Sequence, residues 1–158
     1  MAAPKTTHQA PQQIDPKCTG DYLEVMSKAI FQTGISRKVV ENKWPGINEA
    51  FHGFDHRLVA SLTEAELAEL SADTRVIRNR RKIEAIVDNA RLMLDLEEEH
   101  GSFKGYLRSH GDFEKTVADL RKQFKFLGDM GCYYFLYVVD EDVPSYGDWC
   151  ESRGRPHE

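Results

Sequence analysis

Lys125, Gly128 and Gly131 are the residues whose types and spacing most directly suggest chemistry. They lie in residues 121–139, RKQFKFLGDMGCYYFLYVV. This stretch reads as the end of one helix, a tight turn at Leu127-Gly128-Asp129, and an almost wholly apolar second helix. The first N–H groups of a helix have no intrahelical partner, and they carry the positive end of its dipole. With Lys125 nearby, the turn is a place to hold an anion, most naturally a phosphate. Gly-turn-helix corners also serve as plain joints in helical proteins. Support comes from a second basic element: Arg75, Arg78, Arg80, Arg81 and Lys82 share the run RVIRNRRK with no acid among them.

The whole chain sets the frame for that turn. Its 158 residues suit one domain with a real core, and 41% apolar with 30% charged residues is ordinary globular composition. No apolar run is long enough to span a bilayer, and no secretory segment opens the chain, so no membrane partner is expected. Cys18, Cys132 and Cys150 are too few and too scattered for a disulfide framework, which points to a reducing, cytoplasmic setting. The net charge of -5 argues against indiscriminate coating of nucleic acid but permits a local basic face. Acids collect instead in residues 64–73, 95–99 and 140–142.

The elements that must position these groups read as helices throughout, and the expected fold class is all-α. Residues 1–18 are polar, Pro- and Gln-rich and aperiodic, and are expected to form a flexible or loosely docked arm. From Asp21, Tyr22, Val25, Met26, Ala29 and Ile30 share a helical face, and Gly34 ends that helix. Ser36 caps a second helix, which is expected to stop before Pro45. Phe51, Phe54 and Leu58 follow around a turn at Gly53, with both Phe residues in the core. Thr63-Glu64-Ala65-Glu66 is a capping box opening a helix that carries Leu67 and Leu70. The longest helix carries Ile83, Ile86, Val87, Ala90 and Leu94 and ends before Gly101. Phe113, Val117, Leu120 and Phe124 lead into the hairpin. His52, His56, His100 and His110 read as surface residues. The expected organisation is an arm at 1–18, a helical domain at 19–150 and a tail at 151–158.

Several stretches together resemble the 3-methyladenine DNA glycosylase I family, within the helix–hairpin–helix glycosylase superfamily. They are FQTGIS at 31–36, AFHGFDHRLVASLTEAELAEL at 50–70, RVIRNRRKIEAIVDNAR at 75–91, GSFKGYL at 101–107 and FKFLGDMGCYYF at 124–135. The resemblance implies an all-α helix–hairpin–helix enzyme of base-excision repair. Such an enzyme flips a damaged purine from double-stranded DNA and hydrolyses its N-glycosidic bond. Leu127, Gly128, Asp129, Met130 and Gly131, with Lys125, would form the phosphate-holding hairpin. Ile35, after Gln32 and Gly34, matches the apolar wedge that fills the gap left by the flipped base. Arg78, Arg80, Arg81 and Lys82 would face the DNA backbone, positioning rather than specifying.

The departures are as informative. The family's base-recognising Glu is Ala29 here, and its Trp after the Ser is Arg37. The Tyr-His-Asp-Glu-Trp-Gly segment is missing, and the Asn-Asp-His after the last helix is replaced by Val143-Pro144-Ser145. Many members of the superfamily place a catalytic Asp at the separation of Asp148 from Gly128, so Asp148 is the expected catalytic carboxylate; its alternative is an exposed acid in a Gly/Pro loop. Asp140 and Asp142 are lesser alternatives. Cys18, Cys150, His157 and His8 do not match the family's zinc spacing. No metal or cofactor is expected, and the protein is expected to act as a monomer on damaged duplex DNA. The alternative function is a DNA-binding or protein-interaction module that kept the scaffold without catalysis.

Overall fold

The computed structural model describes residues 10–152, and every regular element among them is helical. In order these are α1 (Thr19–Gln32), α2 (Arg37–Ala50), a 3-10 turn (His52–Phe54), α3 (His56–Ala60) and α4 (Glu64–Ala72). They continue with α5 (Arg80–His100), α6 (Phe103–Arg108), α7 (Phe113–Gln123), α8 (Asp129–Val138) and α9 (Tyr146–Ser152). Most starts are capped as the local sequence dictates. Ser36 accepts from the Val39 N–H, Asn79 from that of Lys82, and Asp112 from that of Lys115. Thr63 and Glu66 form the reciprocal capping box. Gly101 closes α5 at φ 83°, a left-handed value that only glycine takes without strain.

Helix α5 is the axis, packing against α1, α3, α4 and α6, while α1 lies between α5 and α8. That position explains the composition of α1. It is buried on nearly every side, through Leu23, Met26, Ile30 and Phe31, instead of along a single stripe. Ile83, Ile86, Ala90 and Met93 of α5 and Phe135 of α8 complete the same core. One consequence matters for the site: the C-terminal end of α1, the N-terminal end of α5 and the N-terminal end of α8 are drawn together.

Several expectations need correction. Helix α2 does not stop before Pro45 but carries it inside. Trp44 and Ile47, on either side of it, are buried, and the Trp44 indole donates to Glu24 at 2.8 Å. That burial outweighs one missing N–H on an exposed face. Leu58 is half exposed, since Val59 and Ala60 take the inward side of α3. Helices α6 and α9 add to the expected set, and α9 runs to Ser152. Within the arm, Gln13 and Ile14 lie against the end of α8, where the Ile14 N–H donates to the Val138 carbonyl at 2.8 Å and the Gln13 amide to that of Tyr137 at 2.9 Å. His56 is buried with Nε2 2.9 Å from Glu97, out of line for a hydrogen bond. His110 is wedged between the Leu107 carbonyl and Asp119.

Candidate nucleic-acid interface

The hairpin between α7 and α8 is set by burial on both sides of its turn. Phe124 and Leu127 are core residues, so the two residues between them must loop outward. Phe126 does so at φ 59° and stays exposed. Asn89, buried on α5, clamps the turn: its Oδ1 accepts from the Lys125 N–H at 3.0 Å and its Nδ2 donates to the Lys125 carbonyl at 3.2 Å. Helix α8 then begins at Gly128 with no side-chain cap, and its first bond runs from the Cys132 N–H to the Gly128 carbonyl. The N–H groups of Met130 and Gly131 therefore lack intrahelical acceptors, and Gly128 is open to solvent.

A second turn, between α1 and α2, is brought alongside. Gly34 takes φ 79°, and the Ile35 N–H bonds the Gln32 carbonyl at 3.1 Å, leaving Ile35 half-buried. Lys82 joins this turn to α5. Its ammonium donates to the Thr33 carbonyl at 2.6 Å and the Phe31 carbonyl at 3.2 Å, and it is only 4% exposed. The expectation that Lys82 faces DNA is thus corrected: it caps the C-terminal end of α1, where a cation suits the dipole. Burial lowers its pKa from the ordinary lysine value.

The other basic residues divide clearly. Arg75 pairs with Asp73 and Glu49, and Arg80 with Glu84 and Glu64, each at 2.7 to 3.2 Å. Lys125 reaches Asp88 at 2.7 Å and Arg121 reaches Asp129 at 3.0 Å. Arg78 and Arg81 are exposed, and the Arg81 guanidinium sits 6.0 Å from the centre of the Phe126 ring. Ile35, Arg81, Lys125, Phe126 and Gly128 are therefore linked through Lys82 and Asn89 into one end of the helical body.

Ala29 stands at the floor of this junction, with its methyl 3.8 Å from where a Cβ on Gly131 would lie. One turn on, the Gln32 amide donates to the Tyr134 hydroxyl at 3.5 Å, and burial raises the Tyr134 pKa. Asp148 is exposed on α9, which is anchored by Trp149 stacking on Tyr133 at 4.7 Å. Tyr133 and Gly131, two residues apart on a helix, point to different sides of α8, so α9 packs away from α1. Asp140 and Asp142 line a separate cleft of about 430 Å³ with Arg108, Asp112 and Glu141.

Among the described residues no group of three or more His, Cys, Asp or Glu is placed to hold a metal ion. Cys132 and Cys150 are buried, with the Cys132 thiol pushed up to about 12 by burial, and Cys18 is exposed. His8 and His157 lie outside the described residues. Sequence reasoning missed Asn89 and Phe126. The signal for Asn89 was an amide on the apolar face of the longest helix, where a buried polar group needs partners.

The methyladenine glycosylase family profile matches residues 19–126. The chain is 30% identical over 136 residues to a DNA-3-methyladenine glycosylase of Haemophilus influenzae, spanning 71% of this chain and 74% of that one. It is 30% identical over 126 residues to DNA-3-methyladenine glycosylase 1 of Escherichia coli, spanning 66% and 67%. Among solved structures, 3-methyladenine DNA glycosylase I from Staphylococcus aureus superposes with a TM-score of 0.71 at 23% identity, covering 81% of this chain and 79% of that one. Another 3-methyladenine DNA glycosylase I structure gives 0.69 at 26%, covering 80% and 81%.

Proposed function

The chain belongs to the methyladenine glycosylase family, and we propose that it binds damaged double-stranded DNA and hydrolyses the N-glycosidic bond of an extruded, alkylated purine. The observation that carries this is the convergence of three backbone-gripping parts on one end of the body. The Ile35 turn, the α5 start and the α8 hairpin are locked together by Lys82 on Thr33 and by Asn89 on Lys125. The N–H groups of Met130 and Gly131 at the start of α8 hold a phosphate, with Arg78, Arg81 and Lys125 adding positive charge. Ile35 enters the stack and fills the space the base vacates.

In the reaction, water adds to the anomeric carbon and gives up one proton to solvent, the bond from that carbon to the purine nitrogen breaks, and the base leaves with its electron pair. A purine alkylated at a ring nitrogen such as N3 or N7 carries a positive charge that this departure neutralises, so it leaves readily once unstacked. Ala29 supplies no carboxylate, and Trp149, the neighbour of Asp148, stacks on Tyr133 and not at the Ala29–Gly131 contact. Catalysis therefore rests on extrusion, positioning and the leaving group itself. A second reading, lesion binding without hydrolysis, is favoured by one observation: the Ala29 methyl faces Gly131 where a recognising acid would stand.

Release of free base from alkylated duplex DNA decides between them, with binding to an abasic-site duplex recorded alongside. The expected result is release that Asp148→Asn leaves unchanged. Loss of release in Asp148→Asn would overturn the placement of the chemistry at the α1–α8 junction. Salt-sensitive abasic-site binding without release would select the second reading, and neither activity would leave only the fold.

A further inference from the structure

Phe126 is a large aromatic residue held outward at the tip of the hairpin. It is 39% exposed, and Met130, the second residue of α8, is 45% exposed beside the same turn. Its φ of 59° places a bulky side chain in the left-handed region, where a Cβ is costly and glycine is the natural occupant. Strain of this kind persists only where the surrounding structure enforces it, and it concentrates at functional sites. Here the Asn89 clamp on Lys125 and the buried Leu127 enforce it. The ring gains little packing in return. The cations around it are Arg81, 6.0 Å from its centre, and Lys125 next in sequence, and the uncapped start of α8 follows it.

An exposed ring among cations, beside an anion-binding helix end, has the chemistry of a base-stacking platform. Every nucleobase offers a π-face, and the neighbouring cations suit the phosphates on either side of it. We propose that Phe126 stacks on an unpaired nucleobase of lesion-containing DNA, as a second contact with the base stack in addition to Ile35. The inference rests on the DNA reading above and adds an uncharged contact from the hairpin side.

The test is Phe126→Gly, which removes the ring and at the same time suits the backbone. Affinity for an abasic-site duplex is measured across a salt series, with thermal melting alongside. The expected result is a melting temperature equal to or above that of the parent, and binding weaker by about fivefold or more at every salt concentration. The slope of log affinity against log salt is expected to stay unchanged, because no charge is lost. Arg78→Ala provides the contrast, lowering the slope by about one. Phe126→Tyr, which keeps a ring, is expected to restore parental affinity. Binding by Phe126→Gly within twofold of the parent, a lowered slope or a fall in melting temperature would each overturn the proposal. A parent protein that binds no DNA would sink the DNA reading itself, which separates the two failures.

Discussion

Asn89 holds the hairpin turn by its backbone, and replacing it exposes how much the interface depends on a residue that never reaches the surface. It is 1% exposed, and its amide satisfies both the N–H and the carbonyl of Lys125, at 3.0 and 3.2 Å. Asn89→Ala leaves both partly buried backbone groups without a partner. With about 1–3 kcal/mol for each orphaned group and partial rescue by water, the expected loss is about 2–4 kcal/mol. For a chain of this size that is a fall in melting temperature of about 5–15 °C. Asn89→Asp keeps the shape and the acceptor but sets an oxygen against the Lys125 carbonyl and buries a charge. It is therefore expected to cost at least as much at neutral pH. Denaturant unfolding measures the stability, and hydrogen exchange at the Lys125 amide measures the clamp itself. Asn89→Ala should exchange that amide faster than the parent, beyond what the global loss explains, and should weaken abasic-site binding. A stability loss under about 0.5 kcal/mol, with the Lys125 amide as protected as in the parent, would refute the clamp.

Two further outcomes test the frame around the site. The Thr19 hydroxyl at 2.6 Å is the first cause holding the Glu97 carboxyl below its ordinary value of 4.5, with His56 and Arg57 contributing. The native state then binds fewer protons than the unfolded chain in the acid range. This stabilisation is full above pH 4.5 and is lost as pH falls through the lower native value; Thr19→Val should flatten that acid loss in denaturant titrations across pH. At Gly20 an added Cβ would lie 2.5 Å from the Phe54 carbonyl oxygen, a backbone atom with little room to move. Gly20→Ala should destabilise by about 1–3 kcal/mol in denaturant unfolding, although alanine is the better helix former.

What the chain's order of residues settled alone was a set of features that depend on near neighbours. The Thr63–Glu66 capping box, the Gly34 and Gly101 helix ends, the apolar face of α5 and the open start of α8 at Gly128 involve groups a few residues apart. Spacing along the chain fixes such geometry. The family resemblance, carried by the same short runs, placed the all-α scaffold as well. Tertiary structure decided the direction of each long side chain and the reach of each helix. Lys82 and Arg81 are adjacent in a basic run, yet one caps α1 from within and the other lies over Phe126 at the surface. Helical geometry turns neighbours roughly 100° apart, and only the position of α1 determines which of them is inside. Helix α2 crosses Pro45 because Trp44 and Ile47 find partners far away in the chain. Asp148 sits at a suggestive separation from Gly128, but the place of its helix is set by Trp149 docking on the Tyr133 side of α8. Separation along the chain is not separation in space, and the packing of one tryptophan decided the difference.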